Sequence, residues 1–286
     1  MADDRKWHLL NSRLHRLQAV EVGETLRAEG IDSVLIKGVA IERYYPAGTP
    51  RPSIDLDFAV PPEHFERAAE MLKEGALGNY LVDLHEGLRH FDRRPWKEVF
   101  ANVESLEFEE GRVHVLCPED QLRVVCVHWL TDGGEKKERL WDVHHIINEK
   151  GDEFNWNYCL ESDGAKRGRW IITTIGLAAK YTGLRINDLP FAKEAENLPE
   201  WLTGSLEKRW ADDVPFSPLD SNFESWSQFF KQLRRRFPPN PVMSTIGVEG
   251  ELDDGYRIPY QLRYFAKRLF PSATRTIKSY FRRTHH

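Results

Sequence analysis

Asp55 and Asp57 stand two residues apart in SIDLDFAV, with Ile54, Leu56, Phe58 and Val60 alternating against them. On a strand, such a pair shares one face, about 6.5–7 Å apart at the backbone. Two carboxylates that close repel, and one takes up a proton unless a cation sits between them. A hard divalent ion, Mg2+ or Mn2+, resolves the conflict by taking oxygen ligands from a few carboxylates, water and phosphates. That chemistry suits phosphoryl or nucleotidyl transfer, where the metal neutralises phosphate charge and aligns an attacking hydroxyl.

The preceding residues extend this reading. The apolar run ending in Lys37-Gly38 predicts a buried strand and then a turn. Gly38 lets the backbone come close to a triphosphate. A helix begun there offers unpaired N–H groups to it. Lys37 either neutralises phosphate or ends the strand in water. Arg51 either clamps a phosphate bidentately or bridges to Asp55 or Asp57. Ser53, one residue outside the alternation, reads as a strand cap or a phosphate contact.

The elements that must hold these residues follow from periodicity. Trp7, Leu10, Leu14, Leu17 and Leu26 recur at helical spacing across 3–29, with Gly30 as the stop. SVLIK predicts a strand, VAIERYY a helix, and PAGTPRP a loop. Pro61-Pro62 open a helix with Phe65, Ala69 and Leu72 on one face. YLVDLH is a further strand. VESLEFEEGRVHVL reads as a hairpin with Gly111 in its turn. After Pro118 the period changes from 2 to 3.6, and EDQLRVVCVHWL, RLWDVHHII and RWIITTIGLAAKY all read as helices. The expected fold class is α+β: a small mixed sheet with flanking helices over 1–117, then a mainly helical region over 118–286.

The 286 residues are 41% hydrophobic and 12% aromatic, which suits a folded globular chain. No apolar run reaches the length of a membrane span, and MADDRKWHLL is unlike a signal peptide. Cys117, Cys126 and Cys159 are scattered, pointing to reduced thiols and a cytoplasmic protein. The net charge is −5, yet 261–286 carries seven basic residues and no acid. That segment is either a solvated terminal helix or a surface for a polyanion such as RNA. His144 and His145 are adjacent and point about 100° apart on a helix, so they do not form a metal pair. Trp129 and Trp141 read as core residues. No P-loop, dinucleotide fingerprint or nucleophile elbow is present.

The ordered set LIKG, RPSIDLDFAV, VDLH, VLCPEDQL and RLWDVHHII resembles a bacterial nucleotidyltransferase-like family. That family lies within the DNA polymerase β-like nucleotidyltransferase superfamily, and the similarity spans about 10–185. It implies that Asp55 and Asp57 hold metal. It implies a third carboxylate, matched by Asp83, that acts as base or completes the metal site. Lys37 and Arg51 match basic positions of the group, and Asp142 an acidic one. His85 follows Asp83 by two and so shares its face. The superfamily usually places Ser or Gly after the turn glycine; this chain has Val39 there.

The expected activity is metal-dependent transfer of a nucleoside monophosphate from an NTP to an unknown acceptor, a small molecule, a protein or RNA. The alternatives are a toxin-like RNA-modifying transferase and a non-catalytic nucleotide-binding module of the same fold.

Overall fold

A computed structural model describes residues 2–49, 51–161, 163–212 and 237–268. It divides into two compact units: 1–127 with 141–185, and 128–140 with 186–286. The helices around 141–185 thus group with the sheet, whereas the sequence suggested a boundary at 117/118. Long-range polar contacts explain this. Gln121 donates to the carbonyl of Ile36 at 2.8 Å, and Arg51 grips Asp142.

The first unit opens with helix α1 (Ala2–Ala28), strand β1 (Val34–Leu35) and a single turn of helix, α2 (Val39–Glu42). Strand β2 (Leu56–Val60), helix α3 (Phe65–Lys73), strand β3 (Val82–Glu86) and helix α4 (Trp96–Phe100) follow. Strands β4 (Glu104–Phe108) and β5 (Gly111–Val115) form the hairpin. Helices α5 (Pro118–Thr131), α6 (Leu140–Glu149), α7 (Trp156–Glu161) and α8 (Ala165–Thr182) come next. The second unit contains α9 (Ala192–Glu196), α10 (Glu200–Trp210) and α11 (Pro241–Gly247).

The five strands run in the order β3-β2-β1-β5-β4. The β1–β2 and β4–β5 pairs are antiparallel, and β1–β5 and β2–β3 are parallel. This is the expected mixed sheet with flanking helices. Leu56, Phe58 and Val60 pack with Ala19, Val22 and Leu26 of α1 and with Ala68 and Met71 of α3. Alternation leaves Asp57 and Ala59 for the opposite face. A Cβ on Gly23 of α1 would sit 3.4 Å from Val113, so the helix lies close on the sheet.

Several details differ from the periodicity reading. Ile54 and Asp55 form a bend rather than strand, and Ile54 is exposed. The predicted helix after Gly38 stops after one turn. Of the apolar stripe on α1 only Leu26 is buried; Trp7, Leu10, Leu14 and Leu17 face outward. In α3, Met71 and Ala68 rather than Ala69 are buried. Gly111 begins β5 opposite Phe108, and Glu109-Glu110 make the turn. A Cβ on Gly111 would meet Val20 of α1 at 2.7 Å.

The three cysteines are free and buried, as expected. Among the described residues, no helix is long and apolar enough to cross a membrane. The basic segment predicted over 261–286 lies outside the described residues beyond 268.

Candidate active site

The site begins with register. Asp57 on β2 is the direct partner of Asp83 on the parallel neighbour β3, and Ala59 is the partner of His85. Registered partners on neighbouring strands share a face, the strands lying about 4.7–4.9 Å apart. Ala59 has no bulk to oppose the imidazole of His85, which leans toward both acids. Its Nε2 lies 3.1 Å from Asp57 Oδ1 and 3.2 Å from Asp83 Oδ2. The ligand atoms of Asp57, Asp83 and His85 all lie within 4.8 Å of one another. Lys37, at the exit of β1, places Nζ 2.5 Å from Asp57 Oδ1.

These contacts set the charges. Burial alone would raise the Asp57 pKa, but the hydrogen bond with His85 and the Lys37 ammonium hold it below the ordinary carboxylate value. The His85 hydrogen bond also lowers Asp83, against partial burial. Burial would lower His85, yet its bonds to Asp57 and Asp83 outweigh that and raise it. Asp57 and His85 are buried, while the Asp83 side chain is 50% exposed. One carboxylate is therefore fixed within the sheet and its partner opens to solvent.

Two carboxylates and one imidazole within this span fit a divalent cation in number and spacing. The imidazole shows how the set divides. A metal-bound histidine ordinarily donates its other ring nitrogen to an acceptor that orients the ring. Nδ1 of His85 is buried and has no hydrogen-bond partner among the described residues. The two carboxylates therefore fit a metal better than the ring does, and His85 holds the carboxylates in place.

Gly38 has φ +61° and ψ −119°, a region that side chains avoid. A Cβ there would lie 3.1 Å from Ser53 Oγ and 3.6 Å from the Asp55 carbonyl. Ser53 Oγ itself donates to that carbonyl at 3.1 Å. The turn and the segment before β2 thus close on each other, and a serine hydroxyl stands over Gly38 although Val39 follows it in sequence. Asn11 of α1 donates to the Ser53 carbonyl at 3.4 Å. Asp55 is exposed in the bend and stands apart from the Asp57, Asp83 and His85 group.

Arg51 does not bridge to the Asp pair. Its Nε and Nη2 each donate to Asp142 at 2.7 Å, and both residues are buried. Tyr45 Oη donates to the same carboxylate at 2.6 Å. Arg51 still lies close enough to Asp57 for that charge to raise its pKa, after its own burial and Asp142. Asp142 is therefore the anchor of Arg51, a pairing across 91 positions that no local spacing announces.

The chain leaving β3 is held by buried charge that the sequence reading missed. Arg94 pairs with Asp92 at 2.6 Å and also with Asp120. Arg123 reaches Asp92 at 2.9 Å, and Arg167 reaches Asp163 at 3.2 Å. Arg167 also donates to the carbonyls of His90 and Phe91 at 3.0 and 3.1 Å. The Phe91 ring in turn lies 5.8 Å from that of His85 and beneath Lys37 Nζ at 5.7 Å. Acids and bases recurring through DRR, PEDQLR and DGAKRGR were the available signal. Beyond the ends of β2 and β3, Pro62, Glu86, Arg89, Arg93 and Trp96 border a cleft of about 530 Å³.

Asp57 and Asp83 thus lie opposed on adjacent strands of a mixed sheet, beside Lys37 and the Gly38 turn. A family model described as an uncharacterised nucleotidyltransferase matches residues 1–170, and the chain belongs to that family. No curated protein and no solved structure matches the sequence.

Proposed function

We propose that the protein transfers a nucleoside monophosphate from an NTP to an acceptor hydroxyl or comparable nucleophile. The observation that carries this reading is the cross-strand pair Asp57–Asp83, joined through His85 and set beside Lys37 and the Gly38 turn. Asp57 and Asp83 would hold Mg2+ or Mn2+, which would neutralise phosphate charge and polarise the α-phosphate. Asp55, exposed in the bend before β2, belongs to the proposed ligand set on the family resemblance alone. Lys37, the Gly38 backbone and Ser53 would receive the phosphates. Arg51, neutralised by Asp142, would brace the segment that leads to Ser53 and β2.

In the transfer, the acceptor oxygen bonds to the α-phosphorus and the bond to the bridging α–β oxygen breaks. Pyrophosphate leaves with that electron pair. The acceptor proton passes to Asp83, which is half-exposed and kept ionised by His85.

The test combines binding and labelling. The protein is incubated with each α-labelled NTP, Mg2+ or Mn2+, and cell extract, and any labelled product is identified. Melting temperature is followed with NTP and metal, since a ligand that binds the folded state raises it. Absence of both a thermal shift at millimolar NTP and a labelled product sinks the reading.

A further inference from the structure

Helix α1 reverses the usual pattern over its first half. Trp7, Leu10, Leu14 and Leu17 are exposed, whereas Ser12 and His15 are only 7% and 8% exposed. Further along, the buried residues are the apolar Ala19, Val22 and Leu26, which fix the helix to the sheet. Burying a polar group costs free energy unless it is hydrogen-bonded. Ser12 meets that condition against α2. Its Oγ donates to the carboxylate of Glu42, lying 2.6 Å from Oε1 and 2.7 Å from Oε2, and Glu42 is itself buried. Arg16, one turn after Ser12, brings Nη2 to 3.4 Å from Glu42 Oε1. Asn11, the residue before Ser12, donates from Nδ2 to the Ser53 carbonyl at 3.4 Å.

These two contacts fall on the two walls of the Gly38 turn. Glu42 ends α2, and its backbone N–H donates to the Gly38 carbonyl at 3.2 Å, as that of Ile41 does at 3.1 Å. Ser53 forms the other wall, with Oγ 3.1 Å from where a Gly38 Cβ would stand. Consecutive residues on a helix point about 100° apart, so Asn11 and Ser12 reach both walls at once. Apolar burial further along already attaches α1 to the sheet. The polar contacts of its first half instead fix α2 and the Ser53 segment relative to each other. A helix that turns polar residues inward breaks a local rule, and such breaks concentrate at functional sites.

Resting on the nucleotidyltransferase reading above, we propose that Asn11 and Ser12 are positioning residues for the triphosphate. They act through Ser53 and Glu42 rather than by contact with the ligand. Between them they hold the walls of the Gly38 turn at the spacing that the phosphates need. The part of the ligand they serve is the polyphosphate tail, whatever base it carries.

The experiment compares each NTP with inorganic tripolyphosphate, which carries the phosphates but lacks a base. Equilibrium binding is measured with Mg2+ for wild type, Ser12→Ala and Asn11→Ala, at a temperature where apo melting curves show each variant folded. Ser12→Ala should weaken every NTP and tripolyphosphate alike, by about tenfold. Asn11→Ala should act in the same direction by about threefold, because its bond is longer and joins two neutral groups. Asn11 is only half-buried, so this variant carries the test in case Ser12→Ala does not fold. A lower melting temperature with native affinity in the folded variants would make both residues structural. That result overturns the proposal and leaves the transferase reading intact. A loss confined to the NTPs, or a wild type that binds NTPs but not tripolyphosphate, also overturns it, because the phosphates would then not depend on the helix. If wild type binds no NTP, both proposals fall together.

Discussion

Arg51 and Asp142, 91 positions apart, are joined by two hydrogen bonds of 2.7 Å and are both buried. Removing one member of such a pair leaves an uncompensated buried charge, which costs about 3–5 kcal/mol. Arg51→Ala should therefore lower the melting temperature strongly. Arg51→Met combined with Asp142→Leu should recover most of it. A mild effect of the single change would show that water reaches the pair.

Asp83→Asn tests the opposed carboxylates. The change lessens repulsion with Asp57 but weakens the contact with His85. Because Asp83 is half-exposed, the two effects should nearly cancel, within about 1 kcal/mol in apo stability. Labelled transfer should fall by orders of magnitude while NTP binding persists. Normal transfer by a destabilised mutant would make Asp83 a structural residue.

Gly38→Ala should cost about 1–3 kcal/mol, because alanine is strained at φ +61°. Its Cβ would also press on Ser53 Oγ. NTP affinity should drop even at temperatures where the mutant is fully folded. A mutant with native affinity would place the phosphates elsewhere.

His85 makes apo stability depend on pH. Its folded pKa is raised above the ordinary 6.5. Its contribution is therefore fully present below pH 6.5 and is lost as pH rises through the folded value. Asp57 acts in the opposite direction: its lowered pKa stabilises the fold above the ordinary carboxylate range and is lost in acid. Melting curves from pH 6 to 9 should show a decline that His85→Gln abolishes. An unchanged slope in the mutant would assign the decline to other groups.

What could be read from sequence was governed by short range. The Asp57, Asp83 and His85 face followed from period-2 alternation within two strands, and the Gly38 turn from one residue type. The end of β2 could not be read, because whether Ile54 and Asp55 join the strand depends on where β3 begins its pairing. The partner of Arg51 lies on a helix 91 positions away. Periodicity located the helices α1 and α6 but not their surroundings, so the stripe at Trp7, Leu10, Leu14 and Leu17 and the ring of Trp141 face outward.

The paired acids and arginines behind β3 bear on time as well as structure. Asp92, Asp120 and Asp163 balance Arg94, Arg123 and Arg167, and all six side chains are nearly inaccessible. Opening the segment that carries Phe91 would strand several charges away from both water and partner. Such an opening is as unfavourable as losing a large part of the fold. Backbone amides from 91 to 94 should therefore exchange with solvent deuterium only when the whole unit opens. Lys37 and His85 would then keep their neighbour through every smaller fluctuation.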